Sequence, residues 1–298
     1  MLPLVLSMGF SSKKWFYLTL LSLIWGSSFI LIKKGLVGLN PMQLGSFRIV
    51  ISAIFIFIVG YNSIKNLSKL QWRWLALSGC LGTFFPSFLF AYAETEVDSA
   101  ITSILNALVP LNTIIFGYFI FKINSNRFQI IGVLVGLVGG LLLIVEGAEL
   151  NPDQNYWYAG LVVLATWMYA ANVNIIKTHL QGVRPIAIAT ANFAVIIIPA
   201  FLVLIYSGGL EVTTIQNEDF LISISSVIVL SLFGTAMAKV LFNNLIQIST
   251  PVFASSVTYI MPVVALFWGL LDGELFDIFQ AIAALLILLG IYLANKNQ

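Results

Sequence analysis

Apolar segments recur along the whole chain, separated by short stretches rich in charged residues, Asn, Pro and Gly. Each segment is near the length of about 20 residues that an α-helix needs to cross a hydrocarbon core of roughly 30 Å. The pattern predicts ten helices, near residues 15–34, 41–61, 72–93, 97–121, 127–146, 156–177, 185–206, 220–247, 251–271 and 275–294. Because the connections are short, we expect an all-α membrane protein of about ten transmembrane helices.

The composition supports a chain whose solvent is the bilayer. Hydrophobic residues make up 60% of it and charged residues 9%, whereas a soluble domain carries about 25% charged residues. One cysteine, Cys80, and one histidine, His179, argue against a disulfide framework or an imidazole metal site, so we expect no cofactor or metal. The net charge of +2 is too small and dispersed to predict nucleic-acid binding. The expected partners are membrane lipids and a small-molecule substrate.

The distribution of charge predicts the orientation of the helices. With the N-terminus in the cytoplasm, ten of the fourteen Lys and Arg residues fall in inner segments, and only Lys33 and Lys34 fall in outer ones. All twelve acidic residues then lie outside or at the outer rim. Short loops rich in Lys and Arg stay in the cytoplasm, so both termini are predicted to be cytoplasmic.

The second half of the chain resembles the first at an offset of 152 residues. The matched positions include Gly82-Thr83 with Gly234-Thr235, Ser103 with Ser255, Pro110 with Pro262 and Gly117 with Gly269. With small drifts in offset, Trp25 matches Trp167, Lys34 matches Lys177 and Pro41 matches Pro185. We therefore expect two five-helix repeats, 13–149 and 155–295. Five is an odd number, so the second repeat is inverted in the membrane, an arrangement that suits alternating access around a midplane site.

Several spaced patterns resemble the EamA repeat of the drug/metabolite transporter superfamily. They are Trp25-Gly26-Ser27-Ser28 with Lys33, Asn40-Pro41 with Arg48, Pro110 to Gly117 with Gln129 and Gly132, and Pro262, Gly269, Gly273-Glu274, Gln280 and Gly290 in the second half. The resemblance implies a ten-helix secondary carrier in the bacterial inner membrane, usually an exporter of amino acids or related metabolites. One departure is Lys122, which stands where the family often has an acid like Glu274.

Lys239 is the strongest candidate for substrate binding. It lies about eight to ten residues inside the eighth span, on the order of 12–15 Å along the helix. A lysine at this depth usually faces a cavity or a partner, although its long stem also allows it to snorkel to the interface. No acidic residue lies at similar depth, so a carboxylate partner is expected from the substrate. Arg48 lies about two turns inside the second span, where a structural role is favoured over substrate contact.

The remaining candidates are polar and aromatic residues near the middle of spans. Asn106 shares a helix face with Thr102 and Thr113, and its counterparts lie around Ser255, Thr258 and Tyr259. These groups suit either cavity lining or interhelical hydrogen bonding. In the sixth span, Trp167 shares a face with Asn174 and Tyr169 with Asn172, and at most one face needs to meet a cavity. The predicted substrate-binding set is Lys239, Asn106, Tyr259, Trp25, Trp167, Asn172 and Asn243.

These features predict a secondary transporter, an exporter or exchanger of small polar metabolites such as amino acids, that works as a monomer or homodimer. Away from their outer rims, the predicted spans contain no Asp, Glu or His, which argues against an intramembrane enzyme and against the usual proton relays. Any proton linkage would then run through Lys239 or the acids of the outer rim. The alternative function is a channel or a lipid-translocating protein, which also needs a polar path between helices.

Overall fold

The computed structural model describes residues 10–120, 127–150 and 154–295, and every regular element in these ranges is helical. The main helices are α1 (Lys13–Gly35), α2 (Pro41–Ile64), α3 (Lys69–Ala93), α4 (Ser99–Phe119), α5 (Arg127–Leu150), α6 (Tyr156–His179), α7 (Pro185–Tyr206), α8 (Phe220–Ile248), α9 (Pro251–Leu271) and α10 (Ile278–Asn295). Eight of them are long and apolar enough to span a membrane, and α5 and α10 contain shorter apolar stretches. The predicted all-α membrane fold is confirmed.

Local signals in the sequence set the helix boundaries. Asn40 and Ser68 begin α2 and α3 with reciprocal capping hydrogen bonds to Gln43 and Gln71. Pro185 occupies the first turn of α7, where its missing N–H would have no partner in any case. Capping moves the start of α3 to Lys69, three residues before the apolar run that predicted it.

The two halves of the chain are interlocked in space. Helix α1 packs against α8 and α9, and α6 packs in the corresponding way against α3 and α4. Helix α2 lies against α7, and α5 lies against α10. In the α5–α10 contact, a Cβ on Gly290 would lie 2.5 Å from the backbone oxygen of Gly132, so these helices depend on glycine to approach this closely. Helices of each half therefore pack among the helices of the other half.

Four helices are irregular near their middle. Helices α3 and α8 each contain a π-helical segment, Cys80–Phe84 and Leu230–Met237, and these overlap at the 152-residue offset. Helix α4 is interrupted between Asn106 and Val109, and α9 is interrupted by a 3-10 segment at Ser256–Tyr259. π-Helical segments are often found at functional sites because they displace backbone groups from the regular hydrogen-bond ladder.

Candidate functional site

A cavity lies between the two halves, beside the irregular segments of α3, α4, α8 and α9. Its volume is about 90 Å³, where a single water molecule needs roughly 10–15 Å³ on the same measure. Its walls come from α1, α2, α3, α4, α6, α8 and α9, and the residues that line it are Trp25, Ser28, Phe29, Ile32, Arg48, Gly82, Thr83, Ser87, Phe90, Asn106, Val109, Tyr169, Asn172, Val173, Gly234, Thr235, Lys239, Phe242, Ser255, Val257, Thr258 and Met261.

The lining residues of α3 and α8 occupy equivalent positions of the two repeats. At an offset of 152 residues, the four positions of α3 correspond to the four of α8: Gly82 with Gly234, Thr83 with Thr235, Ser87 with Lys239 and Phe90 with Phe242. The same offset relates Asn106 of α4 to Thr258 of α9. The duplication therefore positions the cavity, and Lys239 differs from its counterpart, Ser87, by a positive charge.

Helices α1 and α6 contribute in the same way, but at an offset of 144. This offset relates Trp25 to Tyr169, Ser28 to Asn172 and Phe29 to Val173. It corrects the sequence alignment that paired Trp25 with Trp167. The sequence alignment paired the two tryptophans because they are identical. Which residue meets the cavity depends instead on how each helix is rotated, and in α6 that residue is Tyr169.

Lys239 lies in the wall of the cavity. Its residue is 6% exposed, and its Nζ donates a hydrogen bond of 3.2 Å to the carbonyl oxygen of Gly82 in the π-helical segment of α3. A Cβ at position 82 would come within 2.7 Å of that Nζ and 2.6 Å of Cγ of Asn172. Glycine at this position makes room for the lysine head group.

Arg48 is a second buried cation in the lining. Its residue is 9% exposed, and its Nε donates a hydrogen bond of 2.7 Å to Oγ1 of Thr235. The guanidinium also interacts electrostatically with Glu94 and Tyr169. The hydrogen bond to Thr235 connects α2 to α8, which agrees with the structural role expected of this residue. Its place in the cavity wall adds a positive charge that the sequence reasoning did not assign to the site.

Two aromatic pairs flank the cavity, one between α1 and α8 and the other between α3 and α6. The rings of Trp25 and Phe242 have centroids 4.9 Å apart, and those of Tyr169 and Phe90 are 5.9 Å apart. Trp25 also donates from Nε1 to the carbonyl oxygen of Gly234, at 2.8 Å. The carbonyls of Gly82 and Gly234, at equivalent positions of the π-helical segments, thus each accept a hydrogen bond from a side chain of the lining.

Of the other predicted residues, Asn106 and Asn172 lie in the lining. The Oδ1 atom of Asn106 is buried without a hydrogen-bond partner among the described residues. Oδ1 of Asn172 accepts a hydrogen bond of 2.6 Å from the hydroxyl of Ser78. With Trp25 and Lys239, four of the seven predicted residues therefore meet around one cavity.

The other three predicted residues lie elsewhere. Trp167 is 50% exposed on the outer surface of α6. Asn243 is buried and donates a hydrogen bond of 3.3 Å to the carbonyl of Pro185, which links α8 to α7. Tyr259 is half-buried in the 3-10 segment of α9, outside the lining. In α6 the stripe of Tyr169 and Asn172 meets the cavity.

Tyr169, Ser87, Phe90, Thr235 and Phe242 line the cavity without having been predicted as site residues. The signal that would have found four of them is the repeated Gly-Thr pair, because Ser87 and Phe90 follow Gly82 by the same number of residues as Lys239 and Phe242 follow Gly234. Tyr169 needed the 144-residue register, which the sequence alone did not favour over neighbouring offsets.

A cluster of charged residues connects α1, α4 and the α9–α10 loop at the end of the molecule predicted to be extracellular. Lys33 pairs with Glu274 and Asp272, at 2.9 Å each, and Lys34 also pairs with Asp272. The carboxylate of Glu274 accepts hydrogen bonds of 3.1 Å from the backbone N–H groups of Ser99 and Ala100. It thereby satisfies free donors in the first turn of α4. We call Lys33, Lys34, Asp272 and Glu274 the outer cluster.

Glu94, beside the outer cluster, and Asp272, within it, both have shifted pKa values. Burial raises the pKa of Glu94 well above its usual value, although a hydrogen bond from Ser99 acts in the opposite direction. Burial also acts to raise the pKa of Asp272, but the hydrogen bonds from Lys34 and Lys33 outweigh it, so the pKa of Asp272 is lowered. Glu94 therefore keeps its proton to a higher pH than a free carboxyl group does, and Asp272 stays ionised to a lower pH.

At the opposite end of the molecule, Lys177 satisfies the end of α8. Its Nζ donates hydrogen bonds to the carbonyl oxygens of Ile246, Gln247 and Ser249, the shortest being 2.6 Å to Ser249. A cation at a helix C-terminus is stabilised by the free carbonyls there.

Lys122 lies outside the described residues. Within the described ranges, no three His, Cys, Asp or Glu residues form a group that would hold a metal ion.

Comparisons with known proteins identify the family. The model of the EamA-like transporter family matches residues 13–145 and again residues 156–296. The "Uncharacterized inner membrane transporter YedA" of Escherichia coli is 27% identical over 286 residues, which cover 93% of this chain and 89% of that protein. The "Probable amino-acid metabolite efflux pump" of Salmonella typhimurium is 26% identical over 290 residues, covering 95% of each chain.

A solved crystal structure has the same fold, with a TM-score of 0.66 at 16% sequence identity, over 96% of this chain and 97% of that one. The family model covers almost the whole chain in two copies, and the relatives span almost its full length. The chain belongs to the EamA-like transporter family and is a multi-pass inner membrane transporter.

Proposed function

We propose that this protein is a secondary transporter that exports or exchanges a small polar metabolite carrying a carboxylate. The observation that carries the proposal is the pair of buried cations, Lys239 and Arg48, in the lining of the central cavity. The described lining contains no Asp or Glu. A buried cation without a counter-ion is costly, and a substrate carboxylate supplies that counter-ion only while it is bound.

The amino-acid metabolites in the printed name of the Salmonella relative fit this chemistry. The aromatic pairs on both sides of the cavity offer apolar surfaces for the carbon skeleton of such a substrate, while the two cations bind its carboxylate. The described side chains thus provide the mixture of apolar walls and few polar groups that is typical of small-molecule sites.

We infer that transport proceeds by alternating access. The cavity lies between two interlocked five-helix halves whose lining positions correspond, and exchange of conformation between such halves opens a site to one side at a time. The outer cluster joins α1 to α4 and to the α9–α10 loop, and its ion pairs have to separate if the outer side opens. One chain supplies every wall of the cavity, whether the protein is a monomer or a homodimer.

The proposed orientation has both termini in the cytoplasm, as the distribution of Lys and Arg predicts. Cys80 is the single cysteine, so a Cys80→Ser background allows a new cysteine to be labelled selectively. An impermeant maleimide applied to intact cells should label Glu218→Cys, in the loop before α8, and spare Lys69→Cys, at the start of α3. The reverse pattern would contradict the orientation.

The function is tested by counterflow in proteoliposomes with a panel of amino acids and organic acids. The proposal predicts saturable exchange of at least one carboxylate by the wild type and a much lower kcat/KM for that exchange in Lys239→Met. Lys69→Met is the matched control, because Lys69 is exposed at the start of α3 and should leave exchange unchanged.

Two results would reject the carrier. Flux that rises linearly with substrate concentration and shows no exchange would indicate a channel. Movement of labelled lipid without exchange of any solute would indicate a lipid-translocating protein.

A further inference from the structure

The two cations of the cavity are held at separate points along α8. Arg48 is fixed through its hydrogen bond to Thr235, and Lys239 follows Thr235 by four residues on the same helix. Arg48 on α2 and Lys239 on α8 therefore place two positive charges in the wall of one cavity, each from a different helix.

Both cations have unused donors. The Lys239 ammonium carries three N–H groups, and its contact in the described structure is the 3.2 Å hydrogen bond to a neutral carbonyl. The Arg48 guanidinium carries five N–H groups, and in the described structure Nε is the nitrogen with a hydrogen bond. The donors that remain suit one carboxylate at each position, and guanidinium binds a carboxylate with two parallel hydrogen bonds.

Among the described residues, no acidic side chain forms an ion pair with Lys239 or Arg48. Glu94 interacts electrostatically with Arg48, but its Oε2 accepts a hydrogen bond from Ser99 and it lies outside the lining. Among the described residues that line the cavity, the remaining polar groups are neutral. A substrate with one carboxylate would neutralise one charge of the pair and leave the other without a counter-ion.

We propose that the cavity selects small metabolites with two carboxylates separated by a short carbon chain, one bound by Lys239 and the other by Arg48. This inference rests on the proposed function and specifies its substrate class. The unpartnered Oδ1 of Asn106 in the same cavity accepts a hydrogen bond from a hydroxyl or amino group on the chain between the carboxylates. Hydroxy and amino dicarboxylic acids are therefore accepted alongside the unsubstituted ones.

The test compares substrates that differ by one charge and almost nothing else. Aspartate is compared with asparagine, glutamate with glutamine, and succinate with its monoamide, each as the counterflow substrate of purified protein in liposomes at fixed ionic strength. We expect each diacid to be exchanged with kcat/KM at least about tenfold above that of its amide. Tenfold is the lower end of the effect expected when one hydrogen bond between charged groups is removed.

Two variants assign the carboxylates. Lys239→Met and Arg48→Gln should each reduce the ratio of diacid to amide toward one, whereas Lys69→Met should leave the ratio unchanged. Arg48→Lys keeps the charge and should retain part of the preference, which separates loss of charge from loss of the Thr235 contact. Thermal unfolding of each variant identifies any that fails to fold. If Arg48→Gln is such a variant, the ratio of diacid to amide exchange in Arg48→Lys is used in its place.

The outcomes separate this inference from the function on which it rests. If the amides exchange as fast as the diacids, selection for two carboxylates is wrong while the carrier remains. If inorganic phosphate competes as well as succinate does, the two cations bind one doubly charged group and the inference is also wrong. If no carboxylate exchanges at all, both the inference and the proposed function are rejected.

Discussion

Substitution of Gly82 by alanine tests how the cavity is built. The added Cβ would lie 2.5 Å from Nδ2 and 2.6 Å from Cγ of Asn172, and 2.7 Å from Nζ of Lys239. The lysine head group is at the end of a flexible chain and can move. Asn172 has a short side chain whose Oδ1 is held by the hydroxyl of Ser78 at 2.6 Å, so it cannot move without breaking that hydrogen bond.

The expected cost follows from these contacts. Inserting a methyl group into a packed interior typically destabilises a protein by about 1–3 kcal/mol. Displacing Lys239 also removes its hydrogen bond to the Gly82 carbonyl and moves its charge away from the substrate. A hydrogen bond to a charged group contributes about 1.5–3 kcal/mol, or roughly 10- to 150-fold in affinity. Gly82→Ala should therefore lower the Tm in detergent and raise the counterflow KM at least about tenfold.

Two other glycines provide controls. A Cβ on Gly160 meets no atom within 4 Å, so Gly160→Ala should leave transport unchanged and the Tm equal or slightly higher, since alanine favours the helix. A Cβ on Gly234, the repeat counterpart of Gly82, comes within 2.7 Å of Oγ of Ser28, which can move to another rotamer with the loss of one hydrogen bond, to the carbonyl oxygen of Ile24. The Gly234→Ala defect should be intermediate. Wild-type Tm and KM in Gly82→Ala would refute the assigned position of Lys239.

Three further predictions follow from contacts at the cavity and the outer cluster. Trp25→Leu removes a ring contact and a hydrogen bond in the cavity and should reduce counterflow kcat/KM about tenfold or more, whereas Trp167→Leu, on the outer surface, should stay within about twofold of wild type. Glu274→Gln weakens the pairing with Lys33 and the hydrogen bonds at the start of α4, so it should destabilise the protein by about 1–3 kcal/mol, measured as a lower Tm at neutral pH. Burial raises the pKa of Glu94, so the folded state holds this proton more tightly than the unfolded state does, and stability is lost as the pH rises above the usual pKa of 4.5. Glu94→Gln should therefore raise the Tm relative to the wild type at neutral pH, and this gain should disappear as the pH falls below about 4.5.

Each of these predictions has a result that contradicts it. Equal defects in the two tryptophan variants would mean that the cavity is not the site of transport. Glu218→Gln is the control for Glu274→Gln because Glu218 is exposed in the loop before α8, and equal Tm changes in the two would deny the outer cluster a role in stability. A Tm change in Glu94→Gln that is the same below pH 4.5 as at neutral pH would show that folding does not raise the pKa of Glu94.

The fold could be predicted because bilayer chemistry leaves few choices. Each apolar segment has to satisfy its backbone internally, and each polar stretch has to leave the hydrocarbon, so segment lengths and loop charges predict helices and their order. Lys239 could be found for the same reason, since a cation at that depth needs a polar surrounding. The sequence predicts the depth of a residue in the membrane better than it predicts the direction in which its side chain points.

Direction is what the sequence could not supply. The two polar stripes of α6 have similar composition, and the stripe with Asn174 turned out to contact α4, where its Nδ2 donates to the carbonyl of Thr113 at 3.2 Å. Asn243 likewise binds a neighbouring helix. Interhelical hydrogen bonding and cavity lining use the same residue types, so only the rotation of each helix, which packing sets, separates them.

The correspondence of Ser87 and Lys239 bears on how transporters of this architecture change substrate. Duplication provides two copies of each wall position, so one copy can acquire a charge while the other keeps a small neutral side chain. A single codon change in one half then alters the charge of the cavity without altering the helix contacts that hold it. In the double variant Ser87→Lys with Lys239→Ser, the positive charge moves from α8 to the equivalent position on α3. This variant should still bind the same substrate, in the orientation related by the internal symmetry. Selectivity in such a chain can evolve one half at a time.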